Sequence, residues 1–526
     1  MATLKQLFLL LALSCSTMLF SQEISRWENN NYRHFDRYVY ASGRKFHTSV
    51  KPFLMNQVDS IVSIDTIMYI KTKRKLIHKA FNDDLISFKN PSIHFSVNPY
   101  INFEMGKDND SSRRSYINSR GFIVNATVGK NVAIMTSFRE NQAIFSDYRN
   151  IWIKRTGYVP GQSKAKPFKK GGYDWGEAQG IASYSPSQYF NFQLGTGKNF
   201  FGDGYRSLLL SDNANSYPFF KITTDVWHLK YVNLYGQFSD YKSTISPERG
   251  YDKKWGAFHY LSWNTFNWIN ISLFEGVIWE HADTNGYRGF EFSYANPVAF
   301  YRPIEYSNGS PDNVLIGVNG KITILKHYIL YAQLILDEFK LSHVKARDGW
   351  WANKYGYQMG FKAYDVLGIK RFDIQGEYNH VRPFTYSHWT SAQSYGHYYQ
   401  PLAHPLGANF DELVGIVRYS YKRLFVEFKG VGSRCGTDLP NQNVGQNIFE
   451  SYASKRKEYG NTVGQGVSNI LIHTDFNISL LINPMYNLNI CVGGNYRLFA
   501  LSKDITSYDL LYVALRTSLD NFSIDY

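Results

Sequence analysis

Apolar and polar residues alternate with a period of two along most of this chain. In 268–274, Ile269, Ile271 and Leu273 stand against Asn270 and Ser272, and in 188–196, Phe190, Phe192 and Leu194 stand against Asn191 and Gln193. In 423–429, Leu424, Val426 and Phe428 oppose Arg423, Glu427 and Lys429, with Phe425 as the exception. Towards the C-terminus Phe476, Ile478, Leu480 and Ile482 oppose Asn477, Ser479 and Asn483, and Ile490, Val492 and Leu498 oppose Asn489, Asn495 and Arg497. Successive side chains of a strand point to opposite faces, so this period predicts strands with one apolar and one polar face.

The same pattern recurs at 95–105, 119–129, 131–140, 177–184, 228–238, 256–265, 314–323, 326–338, 355–364, 371–380, 411–421, 463–473 and 509–519, which brings the total to about eighteen strands. A lipid-embedded sheet must pair every backbone group, and only closure gives each strand two neighbours. Strands of about ten residues with one face for lipid and one for the lumen suit that closure. The soluble alternatives are a propeller, whose period of about 40–50 residues is absent, or several sandwiches. The expected fold is therefore all-β: a closed antiparallel transmembrane β-barrel with small plug or periplasmic elements.

Composition supports export and a membrane. Residues 1–21 read as a signal peptide, with Lys5 before the apolar run Leu7–Leu13 and cleavage near Ser21; acylation at Cys15 is the competing reading. Residues 22–94 are charged and mixed, and read as an N-terminal periplasmic extension or plug element, with the barrel occupying 95–526. The expected location is the outer membrane, with its lipid as partner. The 526 residues include 37 Phe, 41 Tyr and 11 Trp, too many rings for long disorder. Mean hydropathy is −0.35, and no run of about 20 apolar residues follows the leader. Rings near segment ends, such as Trp263 with Trp268 and Tyr378 with Tyr386, suit interfacial girdles. Phe522, Ile524 and Tyr526 share a face at period two, and such an aromatic end is similar to the assembly signal of outer-membrane barrels. Only Cys435 and Cys491 remain after the leader, which makes no disulfide framework. The net charge of +14 either reflects Lys and Arg that decorate exposed loops or points an exported protein towards acidic polysaccharide or lipid headgroups sooner than nucleic acid.

Candidate chemistry is sparse. Segment 154–174 carries Lys166, Lys169 and Lys170 among Pro160, Pro167, Gly171 and Gly172, and reads as a basic loop. The run Tyr395-Gly396-His397-Tyr398-Tyr399 offers rings for the apolar faces of sugars and is the candidate carbohydrate contact, with those lysines as an electrostatic grip. Glu275, Glu280, His281 and Asp283 form the best acidic cluster, without an HExxH helix or a nucleophile elbow. His388, His397 and His404 are nine and seven residues apart, a weak metal pattern. No enzyme activity, cofactor or metal is expected.

Two further stretches stand out. Gly195, Gly197, Gly202 and Gly204 precede Arg206 and Leu208-Leu209-Leu210, without the GK[ST] ending of a phosphate loop. The second stretch runs from Glu291 through Asn296-Pro297 to Arg302-Pro303-Ile304-Glu305. Gly202 and Gly204 suit sharp turns or close approach, and Arg206 is aimed at the polar lumen with Glu291 or Glu305 as partners. Its alternative role is a structural ion pair that holds a plug. These stretches resemble the glycine-arginine stretch and the Asn-Pro segment of the capsule-assembly Wzi-like family, over about 95–526. The resemblance implies an eighteen-stranded outer-membrane barrel with helical elements that attaches capsular polysaccharide by lectin-like binding. The alternative it leaves is a gliding-motility or surface-adhesin role, with motility or surface-export components as partners, as in Wzi-like proteins of Bacteroidota. A diffusion porin is a third class, which the plug-like inserts argue against.

Overall fold

The computed structural model describes residues 32–43, 46–62, 68–108, 114–240, 251–283, 286–438, 442–502, 504–517 and 525–526. The leader, with its cleavage site, lies outside them. Eighteen antiparallel strands form a ring in chain order, and the last, Asp504–Arg516, pairs with the first, Ile93–Asp108, so the ring closes on itself. Short turns such as 129–131, 227–228, 267–268 and 422–423 lie at one end. The long connections 145–171, 198–216, 281–312, 382–409 and 438–466 lie at the other, which in outer-membrane barrels is the external end.

The expected number of strands is met through two compensating differences. Segments 463–473 and 476–483 are one strand, Val467–Asn483, that runs straight through the polar pair Thr474-Asp475. A strand absent from the sequence reading, Tyr217–Val226, pairs on both sides; Pro218 and the adjacent rings Phe219 and Phe220 obscure its alternation. Segment 154–174 is also more ordered than a loop. It contains the end of the helix Asp147–Thr156 and a short strand, Lys166–Phe168, that extends the wall.

Leu424 and Phe428 face outwards, and Arg423 and Lys429 face the lumen. Phe425 also faces the lumen, where it packs with Met68 and lies under the Arg33 guanidinium at 4.1 Å. The inward face is laced with amide and hydroxyl ladders such as Ser262–Asn270–Asn264, which satisfy polar groups with one another. Trp263 and Trp268 are exposed beside the turn 267–268, as a girdle requires. Tyr386 does not join one: it is buried in the lumen, donating to the Leu208 carbonyl.

Several of the described segments occupy the lumen. Residues 32–43 and 46–62 enter from the short-turn end, where Arg37 pairs with Asp365 and Asp373. Loops 198–216 and 382–409 fold inwards from the long-loop end, and Val50–Lys51 pairs with Phe200–Phe201 to join two of the segments. Leu208, Leu209, Leu210, Tyr395 and Leu402 pack against inward wall residues such as Phe238, Phe258 and Phe274. The barrel interior is thus a core as well as a lumen.

Candidate functional site

The glycine-arginine stretch builds a charged lock in the middle of the lumen. Gly195 and Gly197 lie in a barrel strand, where a side-chain carbon on Gly195 would come within 2.1 Å of the Gly180 carbonyl oxygen. Gly202 has φ +149°, a conformation that favours glycine, and its carbonyl accepts from the Lys51 ammonium at 3.0 Å. Gly204 abuts the Glu377 carboxylate, which accepts the next two backbone N–H groups, of Tyr205 and Arg206. Arg206 pairs with Glu412 at 3.0 Å and with Asp525 at 2.9 Å, not with Glu291 or Glu305. Glu291 and Glu305 belong to a connection that packs on the outer wall, so the barrel separates them from it.

Lys429 and the Tyr205 hydroxyl also bind Asp525, and His404 shares Glu412 at 2.8 Å. Burial alone would raise the Asp525 carboxyl, but Arg206 and Lys429 outweigh it and hold it well below the usual range. Burial pushes the His404 imidazole down, against the pull of Glu412. The partners satisfy one another and tie loop 198–216 to three strands and to the chain end.

A cavity of about 380 Å³ lies at the long-loop end between the helix Asp147–Thr156, the tip of loop 382–409 and the wall. The helix carries Asp147 in its first turn, Lys154 and Arg155 in its last, and Gly157 beyond it with φ +79°, so its ends suit its dipole and C-terminal stop. It presents Trp152 and Arg155 to the cavity, with the Arg155 guanidinium 4.8 Å from the indole. Tyr399 stacks on Phe449 at 4.6 Å, and Tyr508, Tyr526 and Arg497 complete the aromatic and cationic lining. Asp438 also lines the cavity but accepts the backbone N–H groups of Val444 and Asn447.

Tyr398 and Tyr399 have φ +49° and +56° and form the two-residue turn of the hairpin Gly396–His397/Gln400–Pro401. Asn and Gly normally fill such a turn, so the two tyrosines there hold a strained backbone. Tyr398 packs between Tyr158 and Tyr251.

The other half of the ring-rich run is not available to a ligand. Tyr395 is buried and donates to the Leu209 carbonyl, and buried His397 accepts from the Ser239 N–H, because the hairpin's stem is part of the plug. Lys166, Lys169 and Lys170 are exposed on the strand extension and its turn. Asn296 and Pro297 form an exposed turn, and Arg302 pairs with Glu305 one helical turn away at 3.1 Å. Alternation sends Glu275 outwards and Glu280 to the lumen side, where it accepts from Thr390, so the acidic cluster is divided by the wall. His388 binds Gln393 and His404 binds Glu412, so the three histidines stay apart. Trp152, Arg155, Arg497 and Tyr526 were missed as site residues. The caps of the helix could have revealed the first two; the others come from remote segments that carry no shared local signal.

No protein-family model matches the chain, and no curated relative matches it. Among solved structures it is similar to Wzi, an outer-membrane protein involved in group 1 capsule assembly in Escherichia coli. The TM-score is 0.56 over 94% of this chain and 100% of that one, at 11% identity. A weaker likeness links it to OprD of Pseudomonas aeruginosa, with TM-score 0.43 over 80% of this chain and 94% of that one, at 8% identity. The fold shared with Wzi, the apolar outer wall and the sealed ring of eighteen strands make this chain an outer-membrane β-barrel.

Proposed function

We propose that this barrel is not an enzyme and that it holds acidic surface polysaccharide at its external mouth, as a capsule-attachment or capsule-assembly protein would. The cavity carries this reading: flat rings for the apolar faces of sugars stand beside Arg155 and Arg497, which suit carboxylate or phosphate substituents. The exposed Lys166, Lys169 and Lys170 extend that positive character outside the cavity. The solved structure of Wzi is described as a carbohydrate-binding β-barrel, and the inward-folded loops leave this lumen better suited to holding a ligand than to passing one.

The test is binding of isolated surface polysaccharide to purified protein. Tyr398→Ala with Tyr399→Ala is expected to weaken binding several-fold. Binding of the original protein should fall with salt, and the joint replacement of Lys166, Lys169 and Lys170 by Ala should flatten that dependence. Unchanged binding in the tyrosine variant, or a large steady conductance in planar bilayers, would favour the porin reading.

A further inference from the structure

The connection between the strands Ile269–Glu280 and Asn313–Ile324 folds back over the outside of the barrel, not into its lumen. Outward-facing Tyr235, Trp255, Ala257, Val277, Trp279 and Val314 are covered by Phe290, Tyr294, Tyr301 and Ile304 from this flap. Lower on the same strands Leu273, Ile271, Trp263 and Ile316 remain bare. The covered patch is therefore continuous with the lipid-facing wall.

Polar groups on the wall and polar groups on the flap backbone are paired with one another. The Tyr231 hydroxyl donates to the Pro297 carbonyl, the Tyr235 hydroxyl to the Ala295 carbonyl, and the Trp279 indole N–H to the Gly289 carbonyl. The Glu275 carboxylate accepts from the N–H groups of Tyr301 and Arg302 at the start of the helix Tyr301–Asn308, and His259 stacks on the Tyr301 ring at 4.2 Å. Outward Tyr, Trp and Glu groups facing hydrocarbon would each lack a partner, and irregular backbone facing it would too. The opposite side of the flap shows Phe292, Val298, Phe300 and Tyr306, between 74% and 90% exposed.

We infer that residues 286–309 form a membrane-seated flap whose outer face contacts lipid acyl chains, with the Asn296-Pro297 turn as its tip. The proposal is independent of the polysaccharide reading, since it concerns the outside of the barrel. It gives the second motif a role in seating the barrel, because the flap converts a polar stretch of wall into a surface that lipid accepts.

Nitroxide labels on Val298→Cys, Phe300→Cys and Tyr306→Cys test it in the full-length barrel reconstituted into phospholipid vesicles. The native Cys435 and Cys491 are buried, and unsubstituted protein serves as the labelling control. Leu273→Cys provides a bare-wall reference, and Lys170→Cys a loop reference. Each flap label is expected to collide with dissolved oxygen in preference to a water-soluble nickel chelate, as the Leu273 label does. Nickel access like that at Lys170 would place the flap in water and overturn the proposal. Protection from both relaxants would mean that protein, including a second copy of the barrel, covers the flap, and would overturn it as well.

Discussion

Replacing Arg206 with Ala would leave Glu412 and Asp525 buried without their shared cation. Stripping one partner from such a network costs about 3–5 kcal/mol, so the heat-induced shift of the barrel on a detergent gel should fall to a clearly lower temperature. Arg206→Lys, which keeps the charge but not the fork, should lie between. Asp525 adds a pH signature. Its folded carboxyl is held well below the usual range, so its contribution is complete above the unfolded value of about 3.9 and is lost only as pH falls through the lower folded value. The stability difference between the original protein and Asp525→Asn should stay constant from pH 8 down to about 4 and shrink below that. The importance of Arg206 was legible from its glycine setting, but its partners were not. Glu412 comes from a strand two hundred residues away and Asp525 from the chain end, and no local spacing encodes that meeting.

Strands were the most legible elements, because a wall between lipid and lumen forces period two on the sequence. Val426 lies on the outward face of the strand Leu424–Thr437 but is its third residue, beside the turn 422–423 and not mid-strand, so Val426→Arg should destabilise by less than the about 2–4 kcal/mol of a mid-bilayer site, read as partial loss of heat-resistant barrel. Glu427 faces the lumen and pairs with Arg418, so Glu427→Gln should be milder. Equal damage would mean the faces are assigned the wrong way round. Close strand approach gives a second contrast. Gly195→Ala places its new carbon against the Gly180 carbonyl and should cost about 1–3 kcal/mol, whereas Gly432→Ala enters open space and should leave the gel shift nearly unchanged. The plug elements were less legible. In the hairpin Gly396–Pro401 the stem is buried by contacts with distant wall residues and the turn is not, so the ring-rich run divides into Tyr395 and His397 inside and Tyr398 and Tyr399 towards the mouth.

At the scale of the whole molecule, loops and the chain end are tied to one another inside the barrel. The final strand ends at Arg516, and Tyr526 lies in the lumen against Trp152, so it does not extend a lipid-facing strand as an assembly signal would; Phe522 and Ile524 lie outside the described residues. Removing the last five residues would therefore unlatch Arg206 and Lys429 as well as strip one ring from the mouth. The same layout places the cavity at the long-loop end, where the proposed polysaccharide would meet it without crossing the plug. The most direct test of that arrangement is the amount of polysaccharide retained by cells whose own copy is deleted and replaced by the Tyr398→Ala, Tyr399→Ala form, at matched levels of heat-resistant barrel and with colony spreading scored in parallel. The expected result is shed polysaccharide with intact spreading; full retention of polysaccharide with lost spreading would contradict the account.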